Sequence, residues 1–251
     1  MIFKCYGGKR DIRRLDFLYA AGILSCFGLF LSNMVRGDAH VAEFCILAGL
    51  LLLVPYIYER LSCPLGSWCW IAYFFFIAAS VLGTAFRLYT TVPVWDSLLH
   101  LTGGFLCVYA GFLIFREMSR RDGVTTHSYA FFALCAFCFT LTISLLWETA
   151  EFAADRLLSA DNQKDSIVTD IDSSLLDPTH SQKIIHIRNI TDVQIHTADG
   201  SDYTIEGGYL DIGLFDTMRD VYMCMIGEAL FILFGRRLTG KPPGTTPEKG
   251  E

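Results

Sequence analysis

WDSLLHLTGGFLCVYAGFLIFRE, residues 95–117, decides how the rest of the chain is read. Residues 97–115 of this stretch hold no Lys, Arg, Asp or Glu. An apolar run of that length matches the hydrocarbon core of a bilayer, where a lone segment must satisfy its own backbone hydrogen bonds and so forms a helix. Asp96 and His100 stand four apart at its start, a spacing that puts them on one helix face. Gly103 and Gly104 follow one turn later, and small residues there permit close approach of a second helix.

Five more blocks read the same way: residues 15–35, 41–58, 67–86, 129–147 and about 213–234. Pro55 lies near the end of the second block, where a kink or a helix end is tolerable. Composition agrees. Of 251 residues 53% are hydrophobic and 18% charged, against about 25% charged in a soluble domain. An ordinary soluble enzyme and a disordered chain are excluded. The net charge of −6 argues against nucleic acid as a partner, because phosphate binding needs a basic surface. The expected fold is therefore an all-α polytopic membrane protein of about six transmembrane helices, with membrane lipid as its surroundings. The sequence says nothing of oligomeric state.

Lys and Arg set the orientation. Lys4, Lys9, Arg10, Arg13 and Arg14 precede the first block, Arg60 follows the second, Arg116, Arg120 and Arg121 follow the fourth, and Arg236, Arg237, Lys241 and Lys249 follow the sixth. With six spans all of these lie on one side, so both termini are expected in the cytoplasm. The opposite short loops hold only Arg36 and Arg87. The first block is too long for a signal-peptide core and lacks a small-residue cleavage site, so it reads as an uncleaved anchor. Four regions follow: helices one to five over 1–155, an extracytoplasmic insert over 156–208, helix six over 209–236, and a disordered cytoplasmic tail over 237–251.

Within the insert, the Asp- and Ser-rich part through Pro178 reads as flexible. Residues 193–197 and 203–206 alternate apolar and polar about Asp199-Gly200, a hairpin signal, and residues 183–189 read as a third strand of one small β-sheet. His186 and His196 fall on these strands and read as solvated. Asp165, Asp170 and Asp172 lack the spacing and the glycine of a calcium loop. Asn189-Ile190-Thr191 is a glycosylation sequon, relevant only in a host that glycosylates exported proteins. Most of the nine cysteines lie in the apolar blocks and read as small buried hydrophobes; for the C-x-x-C of Cys135 and Cys138 packing is the favoured reading and a redox pair the alternative.

The chemistry lies at helix ends. Asp96 and His100 open helix four, Glu148, Glu151 and Asp155 close helix five, and Asp216 and Asp220 open helix six. Alternating helix directions bring all three groups to the outer surface. Trp95 and Trp147 precede the first two groups and set them at headgroup depth. Six carboxylates and one imidazole at one level repel unless they bind a cation, share protons or pair with arginine. The candidate metal ligands are Asp96, His100, Glu148, Glu151, Asp216 and Asp220, a donor set that suits Mg²⁺, Mn²⁺, Fe²⁺ or Zn²⁺. Arg87 and Arg219 are the candidate substrate-binding residues, able to hold a phosphate. Three readings stay open: a metal-dependent enzyme acting on a lipid or lipid-linked headgroup, a small transporter or cation-handling protein with Glu228 deeper on its path, and a salt-bridged helix junction with no ligand. No reaction signature decides whether the protein is an enzyme.

These motifs together resemble the bacterial inner-membrane family typified by YjdF and, more remotely, VanZ-type proteins. The family pattern of Asp-x-x-x-His, Gly-Phe and Arg-Glu is matched by Asp96, His100, Gly104-Phe105 and Arg116-Glu117. Its Glu-x-x-Glu is matched by Glu148 and Glu151, and its aromatic-Asp-Thr-x-x-Asp by Phe215-Asp216-Thr217 and Asp220. The likeness covers residues 85–235 apart from the insert. Where the family has Gly-Asp before the last motif, this chain has Ile212-Gly213, with Asp211 out of register, and its last connection is longer. The resemblance implies a multi-pass protein of a bacterial plasma membrane and implies no particular reaction.

Overall fold

The computed structural model describes residues 9–60, 67–124 and 126–239. Its helices are α1 (Lys9–Arg36), α2 (Ala39–Leu51), α3 (Val54–Arg60), α4 (Ser67–Ala85), α5 (Leu88–Thr91), α6 (Trp95–Arg121), α7 (Tyr129–Leu158) and α8 (Leu214–Phe234), the last followed by a 3-10 turn over Gly235–Arg237. Six short strands fall between α7 and α8: β1 (Ile167–Val168), β2 (Ile171–Ser173), β3 (Ile185–Ile187), β4 (Asp192–His196), β5 (Asp202–Glu206) and β6 (Tyr209–Leu210). The tail from residue 240 onward, expected to be disordered, and the basic side chains of residues 4–14, Arg60, Lys241 and Lys249 lie outside the described part.

The chain forms two compact units: Met1–Trp147 with Asp220–Glu251, and Glu148–Arg219. Five stretches are long and apolar enough to cross a bilayer among the described residues: Leu15–Arg36, Val41–Tyr58, Trp68–Ala85, Trp95–Arg121 and Tyr129–Leu158. The sixth expected block, α8, has 21 residues and reaches about 32 Å at the helical rise. It differs in carrying Asp216, Arg219, Asp220 and Glu228. Large apolar side chains such as Phe17, Leu24, Phe75, Leu134 and Leu233 point outward and exposed, which is costly in water and ordinary in lipid.

The second apolar block is not one helix. It breaks at Leu52–Leu53, between α2 and α3. Pro55, at the second position of α3, has no N–H for the carbonyl of Leu51, four residues back. The Tyr73 hydroxyl of α4 donates to that carbonyl instead, at 2.8 Å. A buried carbonyl left unpaired costs about 1–3 kcal/mol, so the tyrosine makes the break tolerable. Tyr19 and Tyr58 act similarly, donating to the carbonyls of Trp70 (2.7 Å) and Ala110 (3.1 Å).

Contacts fix the helix directions within the first unit. Tyr129 at the start of α7 donates to the Ile232 carbonyl near the end of α8, at 3.0 Å, while Gly111 of α6 packs on Ala136 of α7. So α7 runs opposite to both α6 and α8. The latter two run side by side in one direction: His100 lies by Asp220, Gly104 by Cys224, and Tyr109 and Phe112 by Phe231, at ring distances of 5.6 and 5.8 Å. Near the C-terminal end of α6, Arg116 donates to the Thr239 carbonyl. Glu117, one residue on, is buried and accepts from Arg120 (2.7 Å) and Arg121 (3.0 Å).

Two glycines set how close α6 and α8 come. A Cβ on Gly104 would overlap the Cys224 carbonyl, and one on Gly227 would overlap the Leu101 carbonyl. Backbone is the obstacle in both cases, so no side-chain rotation relieves it. Gly103, the other half of the pair, faces Phe76 of α4 instead, at 3.3 Å.

The second unit differs from the single three-stranded sheet expected of it. It holds three separate two-stranded antiparallel ribbons, β1–β6, β2–β3 and β4–β5. The β4–β5 hairpin turns at Asp199-Gly200, with Val193 opposite Ile205 and Ile195 opposite Tyr203. Gly200 takes φ +85°, open to glycine at no cost, and Asp199 accepts from the Ser201 N–H at 3.0 Å. Of residues 183–189 only Ile185–Ile187 form a strand, β3, and it pairs with β2 rather than with the hairpin. Where the Asp-rich stretch suggests flexibility, the structure has β1, β2 and a turn built on Asp177. That carboxylate accepts from the backbone N–H groups of Thr179, Ser181 and Lys183 and from two hydroxyls.

These bonds hold the Asp177 carboxyl well below the usual carboxylate range, the Thr179 hydroxyl contributing most. For Asp211, half-burial pushes the other way, but the N–H groups of Phe215, Ser166 and Gly213 outweigh it and lower the carboxyl too. Asp165 is the opposite case, raised by burial and by Asp161, Asp211 and Asp155. A carboxyl lowered on folding stabilises the fold above its unfolded value, about pH 4, and that stability is lost as pH falls through the folded value. The insert is therefore expected to keep its amide protection from neutral pH to about 5 and to lose it below about 4; hydrogen exchange at stepped pH measures this, and Asp177→Ala should lose protection already at neutral pH.

Gly227→Ala is expected to lower thermal stability. Helix propensity gains about 1 kcal/mol, but forcing a methyl into packed backbone costs about 1–3 kcal/mol. Gly28→Ala, at a position where a Cβ meets nothing within 4 Å, should be neutral or stabilising in the same melt.

Candidate metal centre

α6 begins at Trp95, so Asp96 lies in its first turn and His100 one turn further on the same face. α8 carries Asp220. The glycine-permitted approach of the two helices brings this aspartate to the pair. His100 Nε2 lies 3.6 Å from Asp96 Oδ1 and 3.6 Å from Asp220 Oδ2. One donor atom from each residue lies within 4.8 Å of the other two. Asp220 is buried, and Asp96 and His100 are mostly buried, with 13% and 14% of their side chains exposed.

A separation of 3.6 Å exceeds that of an ordinary hydrogen bond. It is close to the roughly 3.4 Å expected between two donors that each sit about 2.1 Å from one tetrahedral ion. The chemistry of the set suits a divalent cation: two hard carboxylates and a borderline imidazole, with no thiolate. Nε2 is available to a metal when the ring proton sits on Nδ1. The same spacing also admits a protonated imidazole shared by two carboxylates.

The other sequence candidates fall differently. Glu148 (buried), Glu151 (half-buried) and Asp216 (buried) belong to the second unit. Asp216 accepts from the Lys164 N–H at 2.9 Å and from the Arg219 guanidinium, with the Lys164 ammonium 3.9 Å away. Arg219 is thus engaged by a neighbouring acid. Arg87 is exposed, takes a left-handed φ of 55°, and uses its carbonyl to receive the Thr90 and Thr91 hydroxyls.

Two further acids, both of the second unit, prove to be structural. Asp155 accepts from the N–H groups of Asn162 (2.7 Å) and Gln163 (2.9 Å), closing the turn after α7. Asp211 accepts from Phe215 (2.7 Å), Gly213 (3.1 Å) and Ser166 (2.8 Å), fastening the entry of α8 to the β1–β6 ribbon. Its place outside the family register goes with this capping role. Sequence reasoning passed over Cys224, which donates to the buried Glu228 and has Ser144 of α7 beside it; the four-residue recurrence of Asp220, Cys224 and Glu228 on α8 is the signal that points to the thiol.

Comparison with known proteins agrees with a membrane protein and names no activity. An uncharacterised protein of Thermotoga maritima is 28% identical over 126 residues, a stretch that covers 49% of this chain and 61% of that relative. No solved structure matches. The family model described as "Predicted membrane protein (DUF2238)" matches residues 17–241, nearly the whole described chain and every helix of the bundle, and is consistent with the resemblance to YjdF. The chain belongs to the DUF2238 family of membrane proteins.

Proposed function

We propose that this membrane protein binds a divalent cation through Asp96, His100 and Asp220. The observation that carries the reading is the meeting of three donors from two helices at spacings that one ion bridges. Two carboxylates gathered with an imidazole in a mostly buried place are costly to bury and favour a positive charge among them. A bound Zn²⁺, Mn²⁺, Fe²⁺ or Mg²⁺ supplies that charge and polarises a phosphoryl oxygen or activates water. The substrate class that goes with such a site in a membrane is a lipid or lipid-linked headgroup. On the sequence pattern Glu148, Glu151 and Asp216 are further candidate ligands, and Arg87 the candidate contact for phosphate. The remoter likeness to VanZ-type proteins adds nothing to this reading.

Titration of the purified protein with Zn²⁺ and Mn²⁺ tests it. One ion per chain is expected, with affinity falling at acid pH because the ligands must shed their protons to bind. Loss of an outer partner alone costs about 10–100-fold in affinity, so His100→Gln and Asp220→Asn should each cost at least that. Unchanged affinity in both variants identifies the trio as an ion-paired helix junction. Gln or Asn variants of Glu148, Glu151 and Asp216 in the same titration test the further ligands.

The Lys and Arg distribution supports cytoplasmic termini, and the resemblance to the YjdF family supports a bacterial plasma membrane. A reporter fused after Lys249 is expected to behave as cytoplasmic in intact cells; an extracytoplasmic signal overturns the orientation.

A small transporter is the second reading. The observation favouring it is Glu228, buried in the bundle two turns along α8 from Asp220.

A further inference from the structure

Glu228 is fully buried, with none of its surface exposed. The Cys224 thiol donates to its Oε1 at 3.6 Å. Its Oε2 has no hydrogen-bond partner among the described residues. Polar neighbours reach this depth from each packed helix. Cys107 comes from α6, with Thr140 of α7 beside it, and Ser144 of α7 lies beside Cys224. The titratable groups that face Glu228 are thus Cys224 on its own helix and Cys107 on α6, while α7 brings only hydroxyls.

No described cation forms an ion pair with it. Arg236 and Arg237, the basic residues next along the chain, are exposed, and Arg236 stands over the Tyr129 ring at 5.8 Å. An ionised carboxylate in such surroundings lacks both a counter-charge and its usual complement of donors. A neutral acid needs no counter-charge and fewer donors, because one oxygen then carries the proton. Yet a permanently neutral side chain needs no glutamate, since glutamine or an apolar residue fills the space at lower cost. An ionisable group held inside a membrane helix bundle is the mark of a reversible proton or ion site.

We infer that Glu228 is a proton-binding site inside the helix bundle, loaded and unloaded from the Asp220 end of α8. Asp220, Cys224 and Glu228 recur every four residues along one face of that helix, and Ser144 adds a hydroxyl at the middle step. The step is a simple one. A Glu228 carboxylate oxygen forms an O–H bond with a proton released by hydronium or a relayed water, and the reverse step returns it; no other bond changes and nothing is oxidised. A monovalent metal ion is the less suitable occupant, because two thiols and two hydroxyls beside one carboxylate make a poor hard-ion shell. This inference does not rest on the metal reading, and either stands if the other fails.

Infrared difference spectroscopy of the whole protein in lipid tests it. At neutral pH the wild type should show the carbonyl stretch of a protonated carboxylic acid that is missing in Glu228→Gln. Glutamine copies the neutral acid in size and polarity, so this variant is expected to fold; Glu228→Asp, in which the band moves rather than vanishes, serves if it does not. In D₂O the band should shift to lower wavenumber within minutes, and Cys224→Ala with Ser144→Ala should slow that shift at least several-fold. Three results overturn the inference: no band assignable to Glu228, a band that stays unexchanged for hours, or a band that vanishes on adding Na⁺ or K⁺ at constant pH.

Discussion

Backbone-to-backbone contact between α6 and α8 is the constraint on which the rest of the first unit depends. Gly104 on one helix and Gly227 on the other face carbonyls across the interface, and only hydrogen in place of Cβ allows the approach. Because the two helices run in one direction, a single crossing point orders everything along them. Toward their starts it brings Asp220 to Asp96 and His100. At the crossing it seals Cys224 and Glu228 away from the surroundings. Beyond it, Phe231 packs among Phe105, Tyr109 and Phe112, and Arg116 fastens the far end to the Thr239 carbonyl.

Sorting the acids by what they touch separates structural from chemical roles. Asp155, Asp177, Asp199 and Asp211 accept backbone N–H groups in turns and at a helix entry. Glu117 faces Arg120 and Arg121. Each of these has a job that ends with the fold. Asp96 and Asp220 instead share one imidazole, and Glu228 has a single thiol as donor. A buried carboxylate short of donors, as Glu228 is among the described residues, is the kind that a proton completes.

The bundle also shows how an apolar fold handles its own irregularities. Tyrosine hydroxyls reach across to carbonyls of neighbouring helices at Trp70, Leu51, Ala110 and Ile232. At Leu51 the hydroxyl stands in for an N–H that Pro55 lacks. In hydrocarbon no water does this work, so the break in the second block depends on a side chain from another helix.

Much was legible in the sequence. Apolar blocks of bilayer length predict the helices, because lipid leaves the backbone no alternative partner. Four-residue spacing sets Asp96 with His100, because the helical period is local. Asp199-Gly200 gives the hairpin, because a tight turn depends on its own two residues. What the tertiary structure alone decided is which distant groups meet. Asp220 rather than Asp216 joins His100, since α8 enters with Asp216 turned to Lys164 and Arg219. Glu228 meets thiols and hydroxyls rather than Arg236 or Arg237. The strand within residues 183–189 pairs with β2 and not with the hairpin. In each case several partners of equal chemistry were within reach along the chain, and the choice among them belongs to helix crossing and strand pairing, which a residue's neighbours in sequence do not encode.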